Sequence, residues 1–81
     1  MNIIEIYINN LTREQAKDFL NNKSIYLTEL EFEYLFNIVK NDYIKIIDED
    51  SSIMNNIKNN LSLDNYIKLY NLFTKYKKYL K

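Results

Sequence analysis

The densest group of residues that could do chemistry is Asp42, Asp48, Glu49 and Asp50. Carboxylates this close together could hold a hard cation. A helix–loop–helix calcium site needs alternating acids, a glycine for its sharp turn and a glutamate closing the loop. The chain has no glycine and the acid spacing does not fit. These acids suit a helix start better, with Asp50 or Ser51 as N-cap and the helix dipole favouring negative charge.

A second group is the C-terminal run Lys75-Tyr76-Lys77-Lys78-Tyr79-Leu80-Lys81. Base interleaved with aromatic is the composition of a phosphate-tracking, base-stacking surface. On that reading Lys75, Lys77, Lys78 and Lys81 contact nucleic acid. The plainer reading puts the lysines at a helix C-terminus, where the dipole favours them, and the tyrosines in the core. Arg13 is the single arginine, and arginine is the residue suited to bidentate phosphate recognition.

A third group is the acidic row Glu29, Glu31 and Glu33. Glu29 and Glu33 share a helix face, and Asn37, not a lysine, follows one turn on. Exposed, they could meet a basic surface on a protein partner. They also weaken a helix-turn-helix reading of residues 12–41, because three acids would sit where a recognition helix meets phosphate. The connector from Asn21 to Leu27 is also longer than such a turn.

Catalysis has little to work with. There is no histidine and no cysteine, so the commonest general base and the strongest nucleophile are missing. A phosphate loop needs glycines the chain lacks. A carboxylate pair could act as in glycoside hydrolysis, given a carboxylate with a raised pKa in a real pocket. A chain of 81 residues leaves little room for a cleft of roughly 300 Å³ or more. The expectation is a non-enzyme with no cofactor, no metal and no small-molecule ligand.

Helices must position these groups, and their start signals are clear. Thr28 with Glu31 forms a capping box, and Leu27 with Phe32 a hydrophobic staple. Phe32, Leu35, Phe36 and Val39 then recur at helical spacing. Leu30, Tyr34 and Ile38 widen that stripe, and Asn41 can end the helix. Thr12 with Gln15, and Leu11 with Ala16, repeat the same start. Asn21-Asn22 can end that helix. Ser62 with the poorer box residue Asn65 opens a last helix running to the end of the chain. Ile53, Met54 and Ile57 mark a further helix, closed by Asn59-Asn60.

Two segments are ambiguous. Residues 3–8 suit a strand by β-branching and a helix by spacing; no strong partner strand follows, which favours a short helix. Residues 43–47 are β-branched and short, and read as an extended connector or a brief strand that could pair with 24–27.

Asn, Ile, Lys and Tyr make up 43 of the 81 residues, and Gly and Pro are absent. Their codons are AT-rich, so an AT-rich genome accounts for much of this composition. Net charge is zero, but residues 65–81 hold five lysines and no acid, while residues 1–64 carry a net −5. That asymmetry fits a basic tail or two complementary faces of a self-associating domain. The uncharged runs are far shorter than the ~20 residues that span a bilayer. The N-terminus lacks a basic signal region, so a cytoplasmic location is expected.

The order of these signals is Leu-Thr-x-x-Gln, an Ile-Tyr-Leu-Thr entry to a helix ending Ile-Val-Lys-Asn, then Ile-Lys-Ile-Ile-Asp-Glu and Tyr-Asn-Leu-Phe. Over about residues 10–75 it resembles the YqfT-like family of small helical proteins from spore-forming bacteria. The resemblance implies a helical fold and supplies no function or site.

The sequence therefore predicts one all-α domain of four to five short helices, built around residues 29–41 and 63–80. The expected core is Phe19, Leu20, Leu30, Phe32, Leu35, Phe36, Val39, Ile57, Leu61, Ile67, Tyr70 and Phe73. The expected function is protein–protein interaction, by a hetero-partner or self-association, in a small regulatory or inhibitory protein. Glu29, Glu33, Tyr66, Tyr76 and Tyr79 are the candidate contact residues. The alternative is a nucleic-acid-associated regulator using the C-terminal lysines.

Overall fold

A computed structural model describes residues 3–77. It is all-α, and no strand occurs among the described residues. The helices are α1 (Ile3–Asn10), α2 (Arg13–Asn22), α3 (Glu29–Ile47), α4 (Ser51–Asn60) and α5 (Leu63–Lys77). α3 packs against α1, α2 and α4, and α5 adjoins α4.

The starts follow the capping chemistry. In α2 the Gln15 N–H donates to Thr12 Oγ1 at 3.1 Å, and Gln15 Oε1 accepts from the Thr12 N–H at 3.0 Å. Thr28 and Glu31 make the same reciprocal pair at the head of α3. Asp50 is the N-cap of α4, accepting from the Ile53 N–H at 3.1 Å. Ser62 Oγ accepts from the Asn65 N–H at 3.2 Å and opens α5.

Residues 3–8 are helical. Lys40 secures α1 by donating to the carbonyls of Ile8, at 2.7 Å, and Asn9, at 3.1 Å. A cation there complements the C-terminal end of the helix dipole.

Residues 43–47 correct the sequence reading. They are the last turns of α3, neither connector nor strand, and the pairing with 24–27 does not form. Nor does Asn41 end the helix. Asp42 alone leaves helical geometry, at φ −132° and ψ 27°, and α3 resumes beyond this kink. Tyr43, Ile46 and Ile47 lie at i, i+3 and i+4 and are half-buried, while Ile44 and Lys45 are exposed. That spacing lets a helix bury one side of the segment, and this outweighs β-branched propensity.

The true helix stops are elsewhere. Ser24 (φ 59°) and Glu49 (φ 51°) adopt the left-handed conformation. After α2 the Ser24 N–H donates to Asn21 O at 3.0 Å, and the Ile25 N–H donates to Leu20 O at 2.9 Å. This is a Schellman arrangement, and its usual apolar contact is made by Leu20 and Ile25. After α3 the Glu49 N–H donates to Ile46 O at 3.0 Å, and the Asp50 N–H to Lys45 O at 2.9 Å. With no glycine available, serine and glutamate take the strained positions.

Leu20, Ile25 and Phe32 form the central buried cluster, with Ala16, Leu27, Phe36, Leu69 and Leu72 packed on it. Ile57 and Leu61 are also buried. Leu35, Phe36, Val39, Tyr70 and Phe73 are half-buried. Three expected core residues are not inside: Leu30 is 86% exposed, Ile67 48% and Phe19 42%. Helical periodicity marks an apolar stripe, but it cannot say how much of a wide stripe a small bundle covers. Ile25 was missed because its burial comes from the helix stop, not from periodicity.

Replacing Ser24 by glycine removes the steric penalty of its left-handed backbone, offset in part by the entropy glycine loses on folding. Ser24→Gly should stabilise by about 0.5–1 kcal/mol, which raises the thermal midpoint by several degrees in a domain of this size. Ser24→Val should lower it. Thermal unfolding followed by circular dichroism distinguishes the two.

Candidate functional site

The best-organised polar site is Glu31, a carboxylate only 8% exposed. Its Oε1 accepts from the Thr28 N–H at 2.9 Å and from Asn65 Nδ2 at 3.0 Å. Its Oε2 accepts from the Ser62 N–H at 2.7 Å. The first bond completes the box of α3. The last does for α5 what Asn65 cannot do from its own box position. One anion therefore serves the N-terminal ends of two helices, where both dipoles favour it. The Thr28 and Ser62 N–H groups, chiefly, hold the Glu31 carboxyl below its usual range. It stays ionised at neutral pH, so it is a structural anion there and not a general acid.

This joint brings the first turns of α3 and α5 together. Asn65 Nδ2 also reaches Tyr26 O at 3.3 Å, which adds the preceding connector. Large apolar side chains flank the joint on the outside: Tyr26, Leu30, Leu63 and Ile67, all exposed. Leu63 and Ile67 are one turn apart on α5. Exposed large apolar residues near the hydrogen-bonded ends of two helices are candidates for recognition.

The acidic row is not free. Arg13 grips Glu33 with both ends of its guanidinium, Nε to Oε2 and NH2 to Oε1 each at 3.0 Å. This bond chiefly lowers the Glu33 pKa. Lys17 lies 3.5 Å from Glu29. The missing i+4 lysine is thus replaced from α2, a neighbour the sequence does not reveal.

Of the candidate tyrosines, Tyr66 and Tyr76 line the interior cavity described below. The Tyr76 hydroxyl accepts from Lys23, and this bond chiefly lowers its pKa. Tyr79 lies outside the described residues. Among the C-terminal lysines, Lys75 is exposed on α5. Lys77 pairs with Glu49. Lys78 and Lys81 lie outside the described residues.

The acid cluster is absorbed into helix ends. Asp48 follows α3 and Asp50 caps α4. Glu49, between them, accepts from the Tyr70 hydroxyl at 2.9 Å as well as from Lys77. Its left-handed backbone aims the side chain at α5. The Glu49 contact chiefly raises the Tyr70 pKa. No sequence signal marks this latch, because glutamate is disfavoured in that conformation.

The interior holds a partly open cavity of about 500 Å³. This is more room than the little expected of so short a chain. Its walls are apolar and aromatic and come from all five helices, from Leu11 at the α1–α2 junction to Tyr76 near the end of α5. Closed and dry, a void of that size would cost about 12 kcal/mol at ~24 cal/mol per Å³. That rivals the whole stability of such a domain, about 4–12 kcal/mol. Water gains little there, because apolar walls offer it few partners.

Cations stand against several rings of the wall. Arg13 and Lys40 lie 5.0 and 5.4 Å from the Phe36 ring centre, and Lys17 lies 5.0 Å from Phe32. Lys23 sits between two wall rings, 5.8 Å from Phe19 and 5.6 Å from Tyr76. Arg13, Lys17 and Lys77 are spent on carboxylates, and Lys40 on carbonyls. Among the described residues no carboxylate lies within ion-pair distance of Lys23.

Comparison with models of known protein families, with curated proteins and with solved structures found no match.

Removing the Glu31 charge tests the joint. Glu31→Gln leaves an amide against the Ser62 N–H and should cost about 1.5–3 kcal/mol at neutral pH. The folded pKa lies below the unfolded one, near 4.5. The contribution is therefore full above that value and lost as pH falls through the folded pKa. In urea unfolding, the gap between wild type and Glu31→Gln should be flat above about pH 5.5 and shrink below pH 4.5.

Proposed function

We propose that the protein is a non-enzymatic interaction module, acting as a small regulatory or inhibitory protein through the apolar face around Glu31. The observation that carries this reading is the exposure of Tyr26, Leu30, Leu63 and Ile67 beside a carboxylate with every oxygen bonded. Such side chains cost solubility unless something covers them. The joint also holds them rigid, which reduces the ordering cost of association.

The charges beside this face favour a second copy as the partner. Lys17 and Glu29 pair on the α3 side, and Asp64 and Lys68 lie 3.3 Å apart on the α5 side. A face rimmed by both signs can set each against its opposite across a two-fold axis. The uneven charge of the chain, acidic before residue 65 and basic after, supports the same reading. The nucleic-acid alternative loses ground, because Lys77 is drawn into the latch with Glu49.

Sedimentation velocity over a micromolar concentration series should show a reversible dimer. Leu30→Asp, at an exposed position, should remain folded and associate at least roughly tenfold more weakly, the loss of one interface anchor. A wild-type protein that stays monomeric throughout would contradict self-association. A dimer unchanged by Leu30→Asp would place the interface elsewhere.

A further inference from the structure

The interior cavity is a separate feature from the outer face, and it asks for a different occupant. Its volume, about 500 Å³, falls in the range of small-molecule sites, roughly 300–1,000 Å³. Its walls are apolar on every helix, so the part of a ligand inside must be apolar. The cavity is partly open, so its apolar walls meet solvent, and an apolar ligand would cover them. A methylene chain can follow apolar walls contributed by several helices without presenting a polar atom to them.

Charge then identifies the other end of the ligand. Lys23 is held between Phe19 and Tyr76, two residues of the wall. It follows directly after α2, where the stop at Ser24 fixes its backbone. The other cations around the wall are engaged by carboxylates or carbonyls. Lys23 donates to the Tyr76 hydroxyl, and among the described residues it has no carboxylate partner, so an incoming anion at that wall would compete with a neutral phenol and not with another anion. Phe19, expected in the core and found 42% exposed, is a wall residue that meets both solvent and Lys23.

We propose that the cavity binds a long-chain carboxylate, with the acyl chain among the apolar walls and the head group at Lys23. The chain supplies the affinity and the ion pair sets the orientation. The site binds only; no bond is made or broken.

Methyl and amide NMR titrations test this with three probes: tetradecanoate, tetradecanol, and tetradecanoate carried in phosphatidylcholine vesicles. Free tetradecanoate should shift the methyls of Met54, Leu69 and Leu72 in the cavity and the amides around Lys23. It should bind up to roughly fivefold tighter than the alcohol, the worth of one exposed ion pair. Lys23→Gln should remove that preference and leave the alcohol's affinity unchanged, which a merely structural lysine would not do. Equal binding of acid and alcohol to the wild type would overturn the head-group assignment. Cavity methyls that shift with neither free probe would overturn the site. Shifts seen with vesicles alone would show a membrane surface as the partner and also overturn it.

Discussion

The fold depends on one carboxylate that satisfies two helix starts. Every helix leaves N–H groups unpaired at its first turn, and most chains satisfy them locally. Here Glu31 does so for its own helix through Thr28, and for α5 through Ser62. A charge-assisted bond to a backbone N–H is about twice as strong as a neutral one. It matters more in this protein because α5 has no fully buried side chain among its described residues. Apolar packing alone holds that helix weakly. The Glu31 joint fixes one end of it, and the Glu49 latch on Tyr70 and Lys77 fixes the other. Between these polar clasps the helix spans the cavity as one wall.

That arrangement leaves room for a partly open cavity in so small a domain. A bundle of this size normally closes by interlocking apolar side chains. Here polar contacts join α2 to α3 and tie α5 at both ends, while ring pairs within α3 and α5, Phe32 with Phe36 and Tyr66 with Tyr70, line the cavity. Cations lie against the Phe19, Phe32 and Phe36 rings of the wall. Arg13 and Lys17 join α2 to α3 twice over, by ion pairs to Glu33 and Glu29 and by stacking on rings. Electrostatic and polar contacts carry a share of the fold that apolar packing carries in a solid bundle.

Much of this was legible in the sequence. The capping boxes at Thr12 and Thr28 fixed where α2 and α3 begin, because a box is a local signal. The all-α class followed from them. What failed was non-local. Ser24 and Glu49 end helices although neither residue type prefers the left-handed conformation, so Asn41 looked the better stop and produced only the kink at Asp42. Leu30 and Ile67 fit the apolar period yet face solvent, because a bundle this small does not cover the whole of a wide apolar stripe. Glu31 was recognised as a box residue, but its second bond, to Ser62, spans 31 residues. No local pattern announces it. The partners of Glu29 and Glu33 lie on α2 for the same reason.

The most direct measurement is an NMR pH titration of the backbone amides of Thr28 and Ser62, with the side-chain amide of Asn65. If one carboxylate serves all three, their proton shifts move together and follow a single pKa below 4.5, the direction set by the N–H donors. Glu31→Gln abolishes all three movements. A Ser62 amide that does not titrate, or that follows a different pKa from Thr28, would show that the two helix starts do not share an anion.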